Sequence, residues 1–158
     1  MTAPAATSRT TPGGIPLFDG FSTKITLASD PDISFWEKNV QPPALDGGDA
    51  IDITTMHNVL WRTKNPRVLI DMGDIQATAA YDPACYTQIQ SVLNVSTTIT
   101  VTFPDGSTIA VYGYLKSFTP SDHTEGNRPE AAIVIVVTNY DHAAHAEAGP
   151  TVVSVAGT

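Results

Sequence analysis

The sequence of 158 residues holds a single cysteine, Cys85. No intrachain disulfide can form, which excludes a small secreted scaffold stapled by disulfides. A lone thiol is read first as a small buried apolar group. Positive charge is also scarce, with 8 Lys and Arg against 16 Asp and Glu and a net charge of -8. A chain this acidic is poorly suited to gripping nucleic acid or an anionic membrane. Only 8% of residues are aromatic. No apolar run approaches the roughly 20 residues that a membrane-spanning helix needs. The N-terminal stretch MTAPAATSRTTPGG lacks the apolar centre of a secretory signal. A soluble protein made and used without export is the expectation. Nucleotide loops of the GxGxxG or GxxxxGK[ST] kind and the GxSxG nucleophile elbow are missing too.

Strand signals fill most of what remains. Residues 131–138, AAIVIVVT, are apolar on both faces of an extended chain. Ala131, Ile133, Ile135 and Val137 share one face, and Ala132, Val134, Val136 and Thr138 share the other. An ordinary half-buried strand alternates apolar and polar residues, so something must cover this strand twice. KITLA (24–28), ISFWEKNV (33–40), IDITTM (51–56), residues 68–71 and IQATAAY (75–81) are further strand candidates. ALDGGDA (44–50) is expected as a turn-rich loop, and Met72-Gly73-Asp74 as a turn or bulge. TITVTFPDGSTIAVYGYL (98–115) carries the best hairpin signal, two β-branched runs around Pro104-Asp105-Gly106. One helix is expected from Asp82, an N-cap followed by Pro83 at the first helical position, to a stop at Asn94. Its apolar stripe of Tyr86, Ile89, Val92 and Leu93 places Ile89 and Leu93 in the core beside Ile133, Ile135 and Val137. The organisation is one domain over residues 15–141, a flexible arm over 1–14 and a C-terminal extension over 142–158 with a short extended run at 151–155.

Few residues offer chemistry. His142 and His145 are three apart in DHAAHAE, but no third ligand lies nearby, and a solvated tail explains them. Asp46, Asp49 and Asp52 flank Gly47-Gly48 at a spacing that does not suit a calcium loop of the EF-hand kind. Asp71 and Asp74 have no evident cleft. No catalytic residue, metal or cofactor is expected. The segment HNVLWRTKNPR (57–67) is distinctive because Arg62, Lys64 and Arg67 make it the one basic cluster of an acidic chain. It is too polar for a core and too long for a hairpin turn. It is expected to project and to meet acidic groups on another copy, with Asp46, Asp49 and Asp52 as candidate partners.

DGGDAIDITTMHNVLWRTKNPRVLIDMGD (46–74), AAYDPACY (79–86), ITVTFPDGSTIAVYGYLKSFTP (99–120) and IVIVVTNYD (133–141), in this order, resemble the major tail protein of long, non-contractile-tailed bacteriophages, the tail tube protein. The resemblance spans about residues 15–141 and lies in the ordered set, not in any one motif. It implies two packed antiparallel sheets in a sandwich- or barrel-like fold with one flanking helix. It also implies hexameric rings stacked into a tube through which the genome passes into the host. The partners it implies are the chain itself and the tail terminator, tape measure and tail tip proteins, with DNA passing through unbound. The implied location is the virion, assembled in the host cytoplasm. An acidic or neutral lumen would let phosphates slide. The double-sided strand at 131–138 would then be covered by the opposing sheet on one side and by the helix or a neighbouring subunit on the other.

Two rivals fit the composition less well. A carbohydrate-binding or adhesin-like β-sandwich would share the strands and the acidity, but Trp36 and Trp61 sit in separate segments and form no evident platform. An enzyme on a β scaffold would need a nucleophile, base or metal set that the sequence does not display.

Overall fold

The structure, a computed structural model, describes residues 23–33 and 35–154. The segment 1–14 expected as an arm lies outside the described residues. Strands β1 (Lys24–Leu27) and β2 (Glu37–Gln41) lead into four short strands, β3 (Leu45–Asp46), β4 (Ile51–Asp52), β5 (Lys64–Asn65) and β6 (Asp71–Met72). Then come β7 (Ile75–Ala80), a 3-10 turn at Pro83–Cys85 and helix α1 (Tyr86–Val92). The chain continues through β8 (Thr97–Thr102), β9 (Thr108–Pro120), β10 (Glu130–Val137), β11 (Tyr140–Asp141), β12 (Ala146–Glu147) and β13 (Thr151–Val153).

The body is an antiparallel sheet in the order β1-β8-β9-β10-β7-β2, with β13 pairing β9 beyond the end of β10. The sheet curls until its terminal strands meet. The Ile25 amide in β1 donates to Oε1 of Glu37 in β2 at 2.9 Å. Curling encloses one face, where Ile25, Leu27, Ile75, Ile99, Val101, Val111, Leu115, Ile133 and Ile135 are at most 3% exposed. Burial of β-branched side chains at alternate positions drives this closure. The fold is therefore mainly β, a barrel-like sandwich of antiparallel strands with a flanking helix.

Two local features hold the long strands in register. A bulge at Lys116 of β9 shifts the pairing, so that Val134 of β10 faces Ser117 and Ile135 faces Leu115. On β9, Gly113 passes so close to β10 that an added Cβ would stand 2.2 Å from the Val136 carbonyl oxygen. The β8–β9 hairpin forms as expected from TFPDGS. Gly106 takes a φ of 87°, and the Asp105 carboxylate accepts from the Ser107 amide at 2.9 Å and from its hydroxyl at 2.8 Å.

Helix α1 is shorter than the sequence pattern implies. Asp82 does cap, with its Oδ1 accepting from the Ala84 amide at 3.0 Å, but it caps the 3-10 turn that precedes α1. Ile89 and Val92 are buried, whereas Tyr86 is 55% and Leu93 37% exposed. Leu93 is extended (ψ 131°) and already off the helix, so its side chain leaves the buried stripe. Asn94 turns the chain with a φ of 60°, and its amide donates to the Leu115 carbonyl of β9.

Other boundaries also move. ISFWEKNV pairs only from Glu37, while Ile33 and Phe35 are buried without a ladder. The C-terminal extension is more structured than expected. DHAAHAE forms a tight hairpin turn between β11 and β12, with Asp141 Oδ1 accepting from the Ala143 and Ala144 amides. Strand β13 then returns the chain to the main sheet.

The double-sided strand is β10. Ala131, Ile133, Ile135 and Val137 face the core, and Ile89 and Val92 of α1 join the same core cluster as the last three. The helix therefore covers the inner face only. On the outer face Ala132 is exposed, and Val134 and Val136 are half-buried in the single chain.

Candidate assembly surface

Between β2 and β7 the chain leaves the body as a long, irregular β-hairpin. Its root is pinned where the Gly73 amide donates to the Ala44 carbonyl at 2.8 Å and β3 pairs β6. Farther out β4 pairs β5, with Ile51 opposite Asn65 and Asp52 opposite Lys64. The tip is closed by Asn58, whose side-chain amide donates to the Trp61 carbonyl at 2.7 Å and whose Oδ1 accepts from the Thr55 amide. Each ladder step is only two residues long because Pro66 and the Gly47-Gly48 pair break the alternation between them. From residue 44 to 71 every side chain is exposed except those of Thr54 and Asn58, which are half-buried.

The sequence pattern marked only 57–67 as an arm. The structure extends it and brings the expected bases and acids together on facing strands of the same hairpin. Arg62 pairs with Asp52 at 3.1 Å. Arg67 crosses over Gly48, whose φ is 75°, and its Nε donates to the Asp49 carbonyl at 2.8 Å. Asp46 Oδ1 accepts from the Gly48 amide. The Thr54 hydroxyl and amide, and more weakly the charge of Lys64, hold the Asp52 carboxyl below its ordinary pKa. Within one chain, then, Arg62 and Asp52 pair as ions, whereas Arg67 and Asp46 are held by main-chain groups.

The arm's distinctive content is apolar. Met56 is 100%, Val59 99%, Leu60 78% and Trp61 77% exposed at the tip, and Val68, Leu69 and Ile70 stand out along the returning strand. Sequence reasoning singled out the three bases and missed these residues. The signal was present in VLW (59–61) and VLI (68–70), apolar triplets that fit neither a helical nor a strand period. Soluble chains rarely leave so large an apolar surface in water unless it binds something.

Elsewhere the molecule offers little for chemistry. Among the described residues no group of three or more His, Cys, Asp or Glu side chains could hold a metal ion, and no buried side chain is polar or charged. The Cys85 thiol, half-buried, is pushed above its ordinary pKa by burial and by the neighbouring Asp82 carboxylate. That is the opposite of what a nucleophile needs. No helix among the described residues is long and apolar enough to cross a membrane. One shallow groove of about 150 Å³ lies between α1 and β9, lined by Tyr86, Ile89, Gln90, Leu93 and Phe118.

No protein-family model matches the sequence, and no curated protein matches it. Solved structures do match the fold. A chain from the tail of an empty GTA particle with C6 symmetry superposes with a TM-score of 0.58 at 11% identity, over 77% of this chain and 95% of that one. A chain from the virion of a native gene transfer agent particle gives 0.59 at 9% identity, over 87% of this chain and 100% of that one. A chain from the six-fold symmetrised baseplate of the anti-feeding prophage gives 0.53 at 8% identity, over 83% and 90%. The curled sheet with its flanking helix is thus a fold shared with chains of a gene transfer agent tail and virion and of a prophage baseplate.

Proposed function

We propose that this chain is a structural virion protein of the tail-tube kind, which polymerises as stacked hexameric rings to form a conduit for DNA. The observation that carries the reading is the arm, a projecting hairpin whose exposed apolar side chains, Met56, Val59, Leu60 and Trp61 at the tip and Val68, Leu69 and Ile70 on the return, are not covered by the described body of the chain. Such a surface on an acidic protein, whose described residues form no metal-binding cluster, is best explained by a second copy as its partner. The six-fold assemblies that supply the structural neighbours support a ring of the same order. The outer face of the main sheet supports the conduit. Gln76, Thr78, Thr98, Thr100, Tyr112 and Tyr114 alternate there with the buried positions and are uncharged, while Lys24, Lys116 and Glu130 of the same sheet carry charge. A wall with so few charges neither binds nor strongly repels phosphates.

Size-exclusion chromatography and negative-stain microscopy of the purified chain test this directly. Six-fold rings or tubes are expected as concentration rises. A monomer that stays monodisperse at every concentration and binds a sugar would instead identify a β-sandwich binding module.

A further inference from the structure

Among the described residues the arm tip is one apolar surface left without a partner. Another is the groove between α1 and the far part of β9. Its floor is Ile89, only 4% exposed, and its rim is made by Tyr86, which the helix presents outward, and by Leu93, just past the helix end, with Phe118 of β9 opposite. The ring of Tyr81 lies 6.2 Å from that of Phe118 and extends the aromatic edge. A surface helix ordinarily turns polar residues outward, so an outward Tyr86 beside the exposed Leu93 that follows the helix and Phe118 of β9 calls for a partner.

We propose that this groove receives the arm tip of another copy, with the Trp61 side chain as its anchor. The proposal rests on the preceding reading that the arm contacts a second copy. Three observations favour this occupant. First, the fit is of the right order, because the groove holds about 150 Å³ and an apolar cavity of about that size accepts one aromatic ring. Second, charge matches. Residues 53–61 carry no Asp, Glu, Lys or Arg, and neither do the five groove residues. Between copies that each carry a net charge of -8, a contact free of ions avoids both like-charge repulsion and ion desolvation. Third, the arm is large enough. Its exposed stretch over 44–71 matches the roughly 20–30 residues a side of a stable interface, in which buried Trp and Tyr supply most of the affinity. The tip stays 77–100% exposed in its own chain, so it does not fill its own groove.

The test is a double-mutant cycle in the full chain, reading the protein concentration at which assembly begins. Trp61→Ala and Tyr86→Ala each remove one exposed side chain. Each is expected to raise the threshold at least about tenfold, and the double variant is expected to raise it no further than either alone. Additive effects, or a Tyr86→Ala variant that assembles like the parent, overturn the groove. If Trp61→Ala impairs assembly while Tyr86→Ala does not, the groove fails and the arm reading stands. If Trp61→Ala assembles normally, the arm reading itself fails. Crosslinking guards against misfolded variants. In a Cys85→Ala background, Leu60→Cys with Gln90→Cys should form intermolecular disulfides on oxidation. Yields no higher than those of Leu60→Cys with Lys24→Cys would also overturn the proposal.

Discussion

At the residue scale, single positions are dictated by what surrounds them. Gly113 is required by backbone and not by conformation. A methyl group there meets the Val136 carbonyl oxygen at 2.2 Å, and main chain cannot move aside as a side chain can. Gly113→Ala should lower stability by about 1–3 kcal/mol or more by forcing β9 from β10, read as a fall in the denaturation midpoint. Cys85 is tuned toward inertness by burial and by Asp82. Its reaction with iodoacetamide at neutral pH should be slower than that of a free thiol, and a rate equal to that of a small-molecule thiol would contradict the placement. Asp105 is tuned the other way. The Ser107 amide, then the Ser107 hydroxyl, hold its carboxyl below the ordinary 3.8. The folded pKa is depressed, so the turn's stabilisation is complete above the ordinary value and is lost only as pH falls through the lowered one. The Ser107 amide shift in an NMR titration should therefore have its midpoint below 3.8.

At the element scale, the strands that carry the core were legible and the pieces that leave it were not. The long β-branched runs of β8, β9 and β10 pair over many residues, so a period-2 pattern with no competing alternative marks them. The arm strands pair two residues at a time and bury only Met72 at the root, so IDITTM alternates as a strand should yet holds a ladder only at Ile51–Asp52. Apolar side chains alone say that a segment wants burial, not whether its own chain supplies it. That ambiguity drew attention to Arg62, Lys64 and Arg67 and hid Val59, Leu60 and Trp61. Helix α1 shows the same limit. A helical period groups Ile89 with Leu93, but the helix stops one residue too soon for Leu93 to follow. Ile89→Ala should cost about 2–5 kcal/mol, and Leu93→Ala clearly less. Equal losses in the two variants would mean that Leu93 belongs to the buried stripe after all.

At the scale of the whole molecule, the curled sheet and the projecting hairpin divide the work. The sheet encloses its apolar face within the single chain. The hairpin adds little to that core and exposes what the sheet hides. Since Arg62 is already paired with Asp52 inside one arm, assembly driven by the apolar tip should persist in about 1 M salt, where the Debye length falls to roughly 3 Å. Light scattering of assembled protein across a salt series checks this, and dissolution at high salt would return the arm's bases to the leading role. On the same grounds, assembled protein should not retain duplex DNA even at low salt, because the outer face of the main sheet carries few ions.

The hairpin and the groove are different patches on one chain, and this asymmetry reaches beyond a single contact. Were copies joined arm to groove from ring to ring, as proposed, they would all point the same way and a growing stack would have a direction. Its two ends would be unlike: one would present arms with nothing to enter, the other grooves with nothing in them. Subunits could then add to the two ends at different rates, and growth could be started at one end and stopped at the other by different proteins. An initiator for one end would need a groove-like apolar pocket, and a terminator for the other a short apolar prong. Length control would thus follow from the polarity of the subunit, without any change in the bond between its copies.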